Sequence, residues 1–221
     1  MDISERGINI QIALFFEENA DIPIVKFAGS LQDEYRVMFE KEPQIIPLPP
    51  EAPKEAPRCI FEKEGGAARL TFSLSRIDFF ASLKDGKGWK NYIEVIIYTL
   101  LKVCEKFSIR IARIGIIVES PIDKTFENNL IGKVSINNYA DSDEKGVSWV
   151  SHDIIKDSIS INVMHNVKVN HNVQEIIPYI GSFSIDANTN IGVKLYEENI
   201  SIIDVAGALL DEIEEHFKNE L

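Results

Sequence analysis

The chain has 221 residues, of which 45% are hydrophobic and 26% charged. These are the proportions of an ordinary globular protein, which holds a core without disulfides or a structural metal. Thirty-five acidic against twenty-three basic side chains give a net charge of −12, which opposes nucleic-acid phosphates and anionic lipid and excludes both as expected direct partners.

Ile8 to Phe16 is apolar with few breaks and predicts a strand covered on both faces. A helix follows, with Asp21 as its cap, Pro23 near its first turn, and Ile24, Ala28, Leu31 and Tyr35 as its apolar stripe. Pro43, Pro47, Pro49, Pro50, Pro53 and Pro57 then rule out helix or central strand over 42–57. Pro47, Pro50 and Pro53 satisfy PxxP spacing, the pattern of a Pro-rich ligand, but a stiff surface crossover accounts for the same prolines without a partner.

Cys59 to Lys63 and Leu70 to Ser75 flank Gly65-Gly66 and predict a hairpin with one wet face. After Gly86-Lys-Gly88 a helix carries Trp89, Tyr92, Ile93, Ile96, Leu100, Cys104 and Phe107 on one stripe. Val95, Tyr98 and Val103 widen that stripe, predicting burial on more than one side. Ile109 to Val118 predicts a central strand, with Ala112, Ile114, Ile116 and Val118 on one face and Ile109, Ile111 and Ile117 on the other. The order over 1–120 is strand, helix, strand, strand, helix, strand, that of a ferredoxin-like split βαβ unit.

Beyond Pro121 the pattern predicts a short helix over Asp123–Leu130, a polar loop over Asn137–Gly146, and strands over Ser158–Val169 and Ser182–Ala187. A closing helix has Ile202, Ala206, Leu209, Ile213 and Phe217 inside and Asp211, Glu212, Glu214, Glu215 and Glu220 in solvent. The expected fold is α+β: a mostly antiparallel sheet with helices on one face, residues 121–221 packing as one unit with the first half.

Three segments carry a family resemblance: Cys59-Ile-Phe-Glu-Lys-Glu-Gly-Gly-Ala-Ala-Arg-Leu-Thr-Phe-Ser73, Lys87-Gly-Trp-Lys-Asn-Tyr92 and Arg110-Ile-Ala-Arg-Ile-Gly115. Their hairpin, Gly-Trp helix start and Arg-x-Gly strand resemble a sporadically distributed family of uncharacterised prokaryotic proteins over about residues 58–120. The resemblance implies no activity, cofactor or site residue.

Catalytic and metal-binding signatures are missing. There is no GxxxxGK[ST], GxGxxG after a strand, GxSxG or HExxH. Asp141-Ser-Asp-Glu-Lys-Gly146 opens like a calcium loop, but Lys145 and His152 occupy positions that need oxygen ligands. On a strand from Ile159 to Val173, His165 and His171 share the apolar face but stand about 20 Å apart. These two and His152 are therefore read as packing residues, with His216 at the edge of the last apolar stripe. Cys59 and Cys104 read as buried free thiols. The pairs Glu17-Glu18 and Glu214-Glu215 read as solvated faces, because adjacent carboxylates point apart.

Arg113 interrupts an apolar strand and calls for a partner, either a carboxylate such as Asp186 or Glu119 or an anionic ligand. The opening Met1-Asp-Ile-Ser-Glu-Arg6 has no basic stretch leading into an apolar one, and no segment is uncharged and long enough to span a membrane. A cytoplasmic location is expected. The expected function is that of a non-catalytic interaction or oligomerisation protein, anchored by Trp89, Tyr92 and Tyr98, with a homo-oligomer or protein partner and no cofactor. The alternative is a small-anionic-ligand sensor or enzyme with a pocket between the two halves, where Arg113 would face the anion.

Overall fold

The computed structural model describes residues 3–123, 144–155, 159–170, 181–190, 194–197 and 200–220. The expected helix over Asp123–Leu130 apart from Asp123 itself, His171, and most of the expected loop and calcium-like segment lie outside them. The strands are β1 (Ile8–Phe16), β2 (Gln44–Ile45), β3 (Cys59–Glu62), β4 (Ala68–Phe72), β5 (Arg76–Leu83), β6 (Ile111–Ile122), β7 (Glu144–Ile155), β8 (Ile159–Asn170) and β9 (Gly181–Thr189). Among the described residues the helices are α1 (Ile24–Tyr35), α2 (Trp89–Lys106) and α3 (Ile202–Glu220).

The strands form a single sheet in the order β2-β3-β4-β5-β1-β6-β9-β8-β7, and every pairing within it is antiparallel. The class is α+β. Period-two alternation sets the register. Ile10, Ile12 and Leu14 of β1 lie opposite Val118, Ile116 and Ile114 of β6, and all six are buried. Val118 and Ile116 in turn face Ile185 and Ala187 of β9, and His165 and Val163 of β8 continue the same rows. A one-residue slip would turn this whole apolar set to solvent, so the register is strongly specified.

Helices α1, α2 and α3 cover that one face. Phe27 of α1 meets Phe16, Phe72 and Phe107 edge-on, with ring centroids 6.4, 5.0 and 5.4 Å away. Tyr35 of α1 stacks on Phe79 of β5, and its hydroxyl donates to the Ile96 carbonyl of α2 at 3.0 Å. At the far end Phe217 of α3 stands against Phe183 of β9 at 5.3 Å. Emptying the Phe27 site would cost about 3–5 kcal/mol, the usual range for Phe→Ala in a packed core. The other face is open: Gln11 is exposed, and Asn9, Ala13 and Phe15 are half-buried. β1 is therefore covered on one face rather than both.

Several expected boundaries change. Asp21 does not cap α1; Pro23 precedes the helix and makes no side-chain capping bond. The expected hairpin forms between β3 and β4 with Gly65 and Gly66 at φ +79° and +73°, a left-handed conformation that glycine alone adopts without strain. Its second strand ends at Phe72, and Ser73 to Ser75 turn into β5, a strand absent from the expected order. Residues Glu144–Gly146, expected in a loop, begin β7 instead. The proline-rich stretch contributes only the two-residue edge strand β2. Gly88, at φ +67°, starts α2.

Candidate functional site

Helix α2 exposes part of the apolar stripe expected to be buried on more than one side. Trp89 is 5% exposed and packs in the core, and Tyr92 is half-buried against Phe79. Trp89 is therefore turned away from any partner, which corrects the expectation at one of its three residues, while Tyr92 keeps a side on the cleft between α1 and α2. Tyr98 is open to solvent at 59% exposure, with Val95 at 55% on the preceding turn.

The positions 91, 94, 95 and 98 lie on one side of α2 because residues three and four apart share a helical face. Across from them α3 presents Ile203, Asp204, Gly207, Ala208 and Asp211, with Ile203 at 41% exposure. The two rows line a groove of about 540 Å³. Gly207 deepens it: an added Cβ there would meet nothing within 4 Å. The rim is acidic. Asp211 shares Lys90 with Glu214 at 2.6 and 3.2 Å, while Glu94 and Asp204 make no ion pair among the described residues.

Two further clefts are lined by described residues. The larger, about 700 Å³, includes Cys104, Arg110, Tyr196 and Ile200. Arg110 is already engaged, bonded to Glu17 and stacked over the Tyr196 ring at 4.7 Å. Glu17 is thus paired rather than a merely solvated carboxylate. Burial pushes the Cys104 thiol up to about 12 and the Cys59 thiol up to about 11, which disfavours the reactive thiolate at both free cysteines. The remaining cleft, about 460 Å³, lies between α1, α2 and the β4–β5 edge.

Arg113 makes no ion pair among the described residues. Its guanidinium lies 4.3 Å above the centroid of Phe15, its partner across the β1–β6 ladder. Asp186 sits opposite Ile117, four residues or about 13 Å along the strand, and Glu119 is about 20 Å away. Neither expected carboxylate can reach. Desolvation lowers the Arg113 pKa, and its Nε is buried without a hydrogen bond. Arg113 borders none of these three clefts.

The histidines sort differently from the sequence reading. His152 lies on the open face, bonded to Asn162 at 2.7 Å. His165 is 1% exposed and stacks flat on Trp149 at 4.7 Å. Its Nε2 lies 3.0 Å from Nδ1 of His216. Desolvation first, then the neighbouring His216, pushes the His165 pKa down to about 4. This contact spans 51 residues, and the only sequence signals for it are a histidine on an apolar strand face and another on the edge of a helical stripe. Among the described residues no helix is long and apolar enough to cross a membrane. No family model matches the chain, and no curated protein matches it.

Proposed function

We propose that this chain is a non-catalytic interaction protein that receives a cationic, apolar segment of another protein in the α2–α3 groove. The observation that carries the reading is the convergence of Val95, Tyr98 and Ile203, all exposed, on one groove with Glu94 and Asp204 at its rim. Exposed aromatic and aliphatic side chains gathered in a concave site are the usual anchors of a protein interface. The acidic rim, on a chain of net charge −12, favours a basic partner and disfavours a second copy, since like charges would meet across a self-interface. Gly207 supports the same reading, because glycine inside a helix costs stability that alanine would recover, and here it leaves room in the groove.

The small-anion alternative has less support, because Arg110 is neutralised by Glu17 and Arg113 borders none of the three clefts. Residues 8–122 form a ferredoxin-like unit extended by β2 and β3, supported by the local strand order β4-β5-β1-β6 with α1 and α2 as crossovers. Membership of the uncharacterised prokaryotic family rests on the hairpin, Gly-Trp and Arg-x-Gly segments. A cytoplasmic location is supported by two buried, unpaired thiols.

Light scattering after size exclusion tests the functional reading, first on the protein alone and then on material co-purified from its source. A monomer alone and a complex with a basic protein that dissociates at high salt and in Glu94→Lys/Asp204→Asn are expected. A discrete homo-oligomer, or a complex indifferent to both treatments, would overturn it.

A further inference from the structure

A second concentration of chemistry lies on the opposite side of α3, where the helix faces β7 and β8. Glu212 and His216 are one turn apart and share a helical face. Both turn toward Asp153 of β7, and one ligand atom from each of the three residues lies within 4.8 Å of the others. Glu212 Oε1 is 3.2 Å from His216 Nε2. That nitrogen is nevertheless buried without a hydrogen bond, so the short separation is not an N–H donated along the line to the carboxylate. Two ligands on one zinc ion at about 2.0–2.1 Å stand roughly 3.3 Å apart in tetrahedral geometry. Their lone pairs then converge on a point between them rather than on each other. The Glu212–His216 pair has that separation, and Asp153 places a carboxylate oxygen within 4.8 Å of both.

We propose that Asp153, Glu212 and His216 form a binding site for a first-row divalent cation, oriented from behind by His165 and Ser151. Two carboxylates and one imidazole suit zinc or manganese, whereas soft copper(I) prefers sulfur and magnesium prefers oxygen alone. Each ligand is half-buried, which leaves an approach for the ion and an open coordination position for water. Ser151 Oγ donates to Asp153 Oδ2 at 3.2 Å and fixes that carboxylate. His216 turns its other nitrogen to His165 Nε2 at 3.0 Å. A metal-bound imidazole needs such an acceptor to hold its proton on the far nitrogen. His165 in turn is clamped by Trp149, whose ring stacks on it at 4.7 Å. His165 and Ser151 are positioning residues, since they act through the ligands.

The test is calorimetric titration of the metal-free full chain with zinc, with cobalt absorption as a second readout. One saturable equivalent per chain is expected. Asp153→Asn and Glu212→Gln, near-isosteric at half-exposed positions, should each weaken it at least about tenfold. His165→Gln should weaken it about 10–100-fold, the usual effect of losing an outer-shell partner, and should alter the cobalt band; His152→Ala, on the other face of the sheet, should change nothing. Absence of saturable binding, several weak equivalents indifferent to Asp153→Asn and Glu212→Gln, or binding lost in His152→Ala would overturn the site.

Discussion

The Arg113 guanidinium sits 4.3 Å above the Phe15 ring, and that contact takes the place of the ion pair its strand position suggested. A cation over a ring is worth about 0.5–1 kcal/mol when partly exposed, whereas a buried donor left unbonded costs about 1–3 kcal/mol. Arg113→Met should therefore leave the urea midpoint unchanged or raise it. Phe15→Leu, which removes the ring and keeps the charge, should lower stability by about 1 kcal/mol.

Gly207 lies inside α3 with open space where a side chain would project. Gly207→Ala should raise stability by up to about 1 kcal/mol through helix propensity and should weaken partner binding by narrowing the groove. Gly207→Leu should weaken binding further. Chemical denaturation and binding measured on the same preparations separate the two effects.

Asp186, on the open face, has its pKa raised by desolvation, with a smaller opposing contribution from its hydrogen bond with Asn188. A raised folded-state pKa means that the folded chain holds this proton more tightly than the unfolded one. The associated stability is present below the ordinary aspartate value and is lost as pH rises through the folded value. Asp186→Asn keeps an acceptor for Asn188 and removes the titration. Its stability relative to the native sequence should be flat below pH 3.8, climb as pH rises through the folded value, and then level off. A difference that stays constant across that window would contradict the account.

Cys59 and Cys104 are buried and held as thiols by desolvation, at about 11 and about 12. At neutral pH the reactive thiolate is scarce and inaccessible. Labelling by a thiol reagent should thus follow global unfolding, with both cysteines reacting together at a rate set by denaturant rather than by reagent.

The helices were legible because their apolar positions recur every three or four residues and glycine marks the start of α2. Two of the long strands were not. In β5 the consecutive Phe79 and Phe80 hide an alternation in which Ile77, Phe79 and Ala81 are buried and Phe80 faces out. In β7 the exposed Val150 and Ile154 lie on the open face while Ser151 and Asp153 turn toward α3, so polarity no longer reports which face is inside. The α2–α3 groove was half legible: Tyr98 was singled out, but its separation from Trp89 depends on which side of α2 the sheet takes. Arg113 misled because carboxylates four and six residues along the ladder cannot reach it. The His165–His216 contact depends on how α3 lies across β8, which no local pattern specifies.

Site-specific photo-crosslinking from position 98, repeated from 203 and from the open-face position Phe80, measures the central claim most directly. The groove reading predicts one and the same basic protein captured from 98 and 203, lost in Glu94→Lys/Asp204→Asn and absent from position 80. Adducts of the chain with itself alone, or the same adduct from position 80, would contradict it.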